Sequence, residues 1–295
     1  MTVRHQLLKT MSVICMLAVL TGCGGKIKKI QPPPETALPV TTVVMLPTTT
    51  TTTATTTVTT TTVETTRTTT VQTTSSDDGT LKGFIRKHNL KLSDYPTKLL
   101  DLLDRNPETK DFVFNYPLKK DKPVEYSLEE YTESETVPLL MQWDERWGYD
   151  DYGGELMGLS GCGPTALSMV SLYLLHDAQY TPTYIAEYSV SNGYRVAGSG
   201  TSWTLMTKAA KKFGLKVKEL SLDERTLLKH LEDGRPIICV MGPGAFTDTG
   251  HFIVLTGTVD GKLRLNDPNS ISNSERLWEF EEISGQIKNL WVYSV

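Results

Sequence analysis

The chain has 295 residues, of which 39% are hydrophobic and 22% charged, and its formal net charge is -4 at pH 7. That is enough apolar material for one substantial core with tails, and the acidic balance offers no basic surface for nucleic acid. Four cysteines without a CxxC pair, five scattered histidines without HExxH, and no GxxxxGK(S/T) loop mean that no metal site and no nucleotide or other cofactor are expected.

Residues 1–23 form an export signal. Arg4 and Lys9 precede a short apolar run at residues 11–20, too short to be a good transmembrane helix. The run ends in Leu20-Thr21-Gly22-Cys23, which resembles the bacterial lipoprotein signal. That resemblance implies cleavage before Cys23, acylation of its sulfur and new amine, and an exported protein held on the membrane by its lipid. An anchor of several chains grips far better than one acyl chain. Residues 24–79 carry three lysines, a PPP and long threonine runs. So little apolar surface cannot offset chain ordering, and a disordered spacer is expected. As a flexible coil of about 55 residues it would span roughly 40 Å.

Residues 80–135 read as a helical extension. LKGFIRKHNL and YPTKLLDLLDRN have helical spacing, with Leu99, Leu102 and Leu103 on one side and Asn106-Pro107 as a stop. Phe112, Val113, Phe114 and Tyr116 add an apolar cluster. Packing on the following domain is the expected role, an inhibitory segment near a cleft the alternative.

Residues 136–295 carry the chemistry. In GLSGCGPTALSMVSLYLLH, Cys162 stands between two glycines, Pro164 suits a first helical turn, and Ala166, Met169, Val170, Tyr173 and Leu174 recur at helical spacing, so one face should be buried. A cysteine at a helix N-terminus meets free N–H groups and the positive end of the macrodipole, which favour a thiolate. Cys162 is therefore the expected nucleophile, whereas Cys239, inside PIICVMG, has the setting of a buried strand residue. Gln142, upstream in an apolar-flanked run, is placed to offer an amide N–H to an oxyanion. Trp143 and Trp147 suit cleft walls or core.

Helices are expected at residues 182–191 and 203–213, a strand at LKVKEL, a helix at DERTLLKHLEDG, then strands at PIICVMG, HFIVLTGTV, KLRLND and LWVYSV. Helices first and a mostly antiparallel sheet afterwards indicate an α+β fold. A thiol nucleophile needs a histidine to move its proton and a third group to orient that histidine. His251 opens the apolar strand after Gly250, while the other histidines lie in the signal or beside charged helices. For the third group, a plain two-residue turn at Asp260-Gly261 would pair Val259 with Lys262 and put His251 on the face of Asn266. A three-residue turn with Gly261 as a bulge would pair Thr258 with Lys262 and put His251 beside Asp267. The bulged turn with Asp267 is the preferred arrangement, and Asn266 the alternative orienter.

QWDERWG, SGCGPTALSM, GHFIVLTG and NDP, in that order, resemble the bacterial papain-fold cysteine peptidases of family thirty-nine, which include double-glycine leader peptidases of bacteriocin exporters and stand-alone secreted relatives. The resemblance covers residues 137–295, and YPTKLLDLLDRNPETKDFVFNYP resembles a segment ahead of stand-alone members. It implies a papain-like fold with Cys162 as nucleophile, His251 as base, Asp267 as orienting acid and Gln142 as oxyanion donor. No transporter segment follows, so the leader-cleaving role is not expected to transfer. The expectation is an extracytoplasmic, membrane-anchored thiol hydrolase acting on a peptide or protein substrate, without metal or nucleic acid. Its rivals are a peptidoglycan amidase or acyl transferase on the same fold, and an inactive surface binding module.

Overall fold

The computed structural model describes residues 78–295. The export signal, Cys23 and residues 24–77 of the spacer lie outside the described residues. Three helices come first: α1 (Leu81–Lys87), α2 (Thr97–Arg105) and α3 (Lys110–Lys119). The Thr80 side chain accepts from Gly83 N and so caps α1. Helix α2 buries Leu99 and Leu102 and stops at Asn106, whose side chain accepts from Glu108 N across the following turn. The apolar side of this extension, with Phe112 and Val113 from α3, packs against Trp143, Tyr149, Leu156 and Leu159. Packing on the body is thus what its leucines and aromatics do.

Next come α4 (Met157–Ser160), α5 (Cys162–Leu175), α6 (Pro182–Ser191) and a small hairpin of β1 (Arg195–Val196) and β2 (Gly200–Thr201). Helix α5 is buried from Gly163 to Leu172, not on one face as its spacing suggests. A helix apolar all round is a central helix, and here α6, the hairpin and the sheet surround it. The helix expected at residues 203–213 is present but begins as a π-helical turn, Leu205–Ala209, before α7 (Ala210–Lys212). Tyr293 Oη donates to the Met206 carbonyl at 2.9 Å, and an inserted donor of this kind loosens the i→i−4 ladder.

The remainder is β3 (Lys216–Glu219), α8 (Glu224–Glu232), β4 (Ile237–Met241), β5 (His251–Val259), β6 (Lys262–Asn266), α9 (Ile271–Glu275), α10 (Phe280–Ser284) and β7 (Ile287–Ser294). The sheet has the order β3-β7-β4-β5-β6, and each neighbouring pair is antiparallel. One face (Ile238, Val240, Phe252, Val254, Trp291) packs with α5 and α6, and the other (Cys239, Met241, Ile253, Leu255, Leu265) with α8 and α10. Strand β4 is buried at all five positions, which explains its unbroken apolar run. The fold is α+β: the helix headed by Cys162 packed on an antiparallel sheet, preceded by the helical extension.

The register of β5 against β6 corrects the sequence expectation. Val259 pairs with Lys262 across a plain two-residue turn. Asp260 and Gly261 both have positive φ, 52° and 81°, as a type I′ hairpin requires. The bulge exists, but further along, between Leu255 and Gly257, after which Leu255 pairs with Leu265 and Val254 with Asn266. The extra residue, Thr256, reverses the face on which the rest of β5 lies relative to β6. His251 and Asp267 therefore share a face through a bulge in the strand, not in the turn. Deleting Thr256 should keep the sheet, by far-UV circular dichroism, but let His251 titrate near the ordinary value of about 6.5 by NMR. A His251 still held well above that value would show that the bulge does not align the pair.

Candidate active site

Cys162 is the first residue of α5, after Gly161, and no side chain caps the helix. Its first-turn N–H groups are thus left for the sulfur and for a ligand. Gly163 lets β2 come close, since a Cβ there would stand 2.6 Å from Thr201 Oγ1. His251 begins β5, opposite Met241 of β4, and is 7% exposed. Its Nε2 meets Asp267 Oδ1 at 2.7 Å, while Cys162 lines the same cleft as the imidazole, and each of the two shifts the other's ionisation.

The electrostatics follow from that line of groups. Burial works to raise the Cys162 thiol, but the hydrogen bond and charge of His251, with the N–H groups of Phe252 and Gly163, outweigh it and hold the thiol below its ordinary range. Burial likewise works against a charged His251, yet Asp267 first and Cys162 second hold the imidazole above its ordinary range. The desolvated Asp267 carboxyl is nevertheless held below the usual carboxylate range, chiefly by the charge and hydrogen bond of His251, helped by Asn273 and Asn269. All three shifts run toward a thiolate beside an imidazolium, backed by a carboxylate. Cys239 is fully buried with no such partner, and desolvation pushes its thiol far up.

Asp267 is 1% exposed and gripped from several sides. Asn269 N donates to Oδ1 at 2.8 Å, Asn273 Nδ2 to Oδ2 at 2.8 Å, and the Asp267 N–H to Ser274 Oγ at 2.9 Å. Asn266, the alternative orienter, faces away from His251. Its Nδ2 donates to the carbonyls of Val137 at 3.1 Å and Pro138 at 2.9 Å and lies 3.6 Å from Met169 Sδ. Alternation along β6 puts it on the α5 side, where it ties the strand to the segment that carries Gln142.

Gln142 is 4% exposed, and its backbone N–H donates to the Pro268 carbonyl at 2.7 Å. Its Nε2 donates to the Gly158 carbonyl at 2.9 Å, which fixes the amide orientation, since a carbonyl accepts only from the NH₂ side. One N–H of that NH₂ remains. Gln142, Cys162 and His251 all line one cleft of about 860 Å³, with Trp203, the 198–201 hairpin and the loop 244–250 as other walls. Trp143, proposed as wall or core, donates Nε1 to the Asn269 carbonyl at 3.1 Å, and Trp147 is fully buried.

Sequence reading missed Asn269, Asn273 and Ser274 as holders of Asp267, although the polar run NDPNSISNS after a strand was a usable signal. It also missed Arg195, whose guanidinium donates to the carbonyls of Tyr152 at 2.7 Å and Gly200 at 2.8 Å and so fastens the hairpin beside Cys162. No motif marks that residue.

The fold and site define an α+β protein built like a thiol peptidase. The sequence profile of the Peptidase_C39 like family matches residues 134–294, and the chain belongs to that family. Among solved structures, the peptidase domain of Streptococcus ComA, a bi-functional ABC transporter involved in a quorum-sensing pathway, is similar at 21% identity, covering 54% of this chain and 98% of that one, with a TM-score of 0.40. A Bacillus anthracis protein described as a C39-like peptidase is similar at 14% identity, covering 58% of this chain and 98% of its own, with a TM-score of 0.35. No curated protein sequence matches the chain.

Two outcomes are expected. Iodoacetamide should alkylate Cys162 well below the ordinary thiol range of about pH 8.5 while leaving Cys239 untouched in the folded protein, as read by peptide mass spectrometry against pH. Replacing Asn266→Ala strands two buried carbonyls and should cost about 1–3 kcal/mol of stability without moving that pH profile. A moved profile would restore Asn266 as an orienter.

Proposed function

We propose that this protein is an extracytoplasmic cysteine peptidase, held on a membrane by lipid on Cys23, that cleaves peptide bonds through Cys162, His251 and Asp267. The observation that carries the reading is His251 itself: one ring nitrogen lies 2.7 Å from the Asp267 carboxylate, and the ring shares a cleft, and a mutual shift of ionisation, with a cysteine at a helix N-terminus. A structural histidine needs only one such partner.

In this reading the Cys162 thiolate attacks the substrate carbonyl carbon. The oxygen that becomes negative is held by the Cys162 backbone N–H and the remaining N–H of Gln142 Nε2. The His251 imidazolium gives its proton to the leaving amine as the C–N bond breaks, which leaves an acyl group on sulfur. The now neutral imidazole takes a proton from water, the hydroxide adds to the thioester, and the acid departs as the thiolate returns. Asp267 keeps the ring in the tautomer and rotation that both steps need. The cleft beside the sulfur is open and wide enough for a chain segment rather than a single small molecule. Membrane attachment rests on the sequence around Cys23.

Purified protein incubated with a diverse peptide library should give internal cleavage products by mass spectrometry, and Cys162→Ala should give none above background while folding normally. Equal turnover by wild type and Cys162→Ala would overturn the proposal. Products from purified peptidoglycan alone would move the assignment to a cell-wall amidase.

A further inference from the structure

The family profile begins at residue 134, yet the turn between α2 and α3 reaches the loop that holds Asp267. Asn106 Nδ2 donates to the Asn269 carbonyl at 2.6 Å. The Glu108 carboxylate accepts from Ile271 N at 2.7 Å and from Ser272 N at 3.0 Å. These are first-turn N–H groups of the short helix α9, which have no partner within the helix. Asn269 is the residue whose own N–H donates to Asp267 Oδ1, the oxygen that meets His251. Asn273, which holds the other carboxylate oxygen, lies on α9 itself. Both grips on the carboxylate therefore come from a segment that the extension clamps from outside.

We propose that Asn106 and Glu108 are positioning residues for the Asp267–His251 pair, so that the extension is a working part of the catalytic unit. The inference rests on the cysteine peptidase reading above. A loop of polar residues between a strand and a five-residue helix has little apolar burial of its own to hold it: Ser270 and Ile271 are half-buried or exposed. Trp143 Nε1 holds the Asn269 carbonyl from the body, and the clamp adds Asn106 to that carbonyl and Glu108 to the N–H groups of α9. The extension is in turn held on the body by apolar contact, since a Cβ on Gly158, just before the nucleophile, would collide with the Phe112 ring. A Lys98–Glu155 ion pair adds to this, and Glu155 also meets Arg195 of the hairpin at 3.1 Å.

The test compares full-length wild type with Glu108→Ala, Glu108→Gln and Asn106→Ala. It reads Cys162 alkylation by iodoacetamide against pH, located by peptide mass, together with kcat and KM on a peptide cleaved by wild type. With the clamp gone, Asp267 supports the imidazolium less, so the alkaline step of the profile should move to lower pH. The kcat value should fall about tenfold or more, as small misplacements of catalytic groups do, with KM little changed. Glu108→Gln, which keeps one acceptor oxygen, should recover part of the loss. Should Glu108→Ala fail to fold, the other two variants carry the comparison. Lower melting temperature with an unmoved profile and intact kcat would overturn the proposal and leave the clamp purely structural. A wild-type Cys162 that titrates as an ordinary thiol would instead overturn the peptidase reading, and this inference with it.

Discussion

The structure depends on a buried carboxylate–imidazole contact, His251 Nε2 to Asp267 Oδ1 at 2.7 Å. Desolvation alone would leave the acid protonated and the imidazole neutral. Each group favours the charged form of the other, and Asn269 and Asn273 donate to the two oxygens of the carboxylate. A buried pair of this kind holds only with good geometry and satisfied partners. Much of the local architecture can be understood as meeting that condition: the bulge at Thr256, the polar loop after β6, and the extension that grips it.

The same contact governs the sulfur. Cys162 is at the head of a helix buried all round, a poor place for an anion without compensation. The helix N-terminus contributes N–H groups, and His251 lowers the thiol further through its hydrogen bond and charge. Gln142 is tied into the assembly at both ends, with its backbone on the Pro268 carbonyl and its side chain on the Gly158 carbonyl. The carbonyls of Pro268, next to Asp267, and of Gly158, one turn before Cys162, thus hold Gln142 between them.

Much was readable from local pattern. Glycine and proline around Cys162, Asp260-Gly261 between two apolar strands, and the unbroken apolar run of β4 each act over a few residues, so the chain alone displays them. Spacing was less reliable where tertiary surroundings decided the outcome. The Cys162 helix is buried on every side because it is the middle layer, and the helix after Trp203 opens as a π-turn where Tyr293, from the last strand, donates to the Met206 carbonyl.

The sequence by itself determined which residues carry reactive groups and what local elements they stand on, since capping, turn geometry and alternation are short-range physics. Only the tertiary structure decided which groups meet. Asp267 rather than Asn266 faces the imidazole because one extra residue at Thr256 shifts the pairing, and a strand's faces alternate every residue. Asn106 and Glu108 reach the acid loop across more than 160 residues of chain, a contact set by how the extension packs and not by any pattern along the backbone.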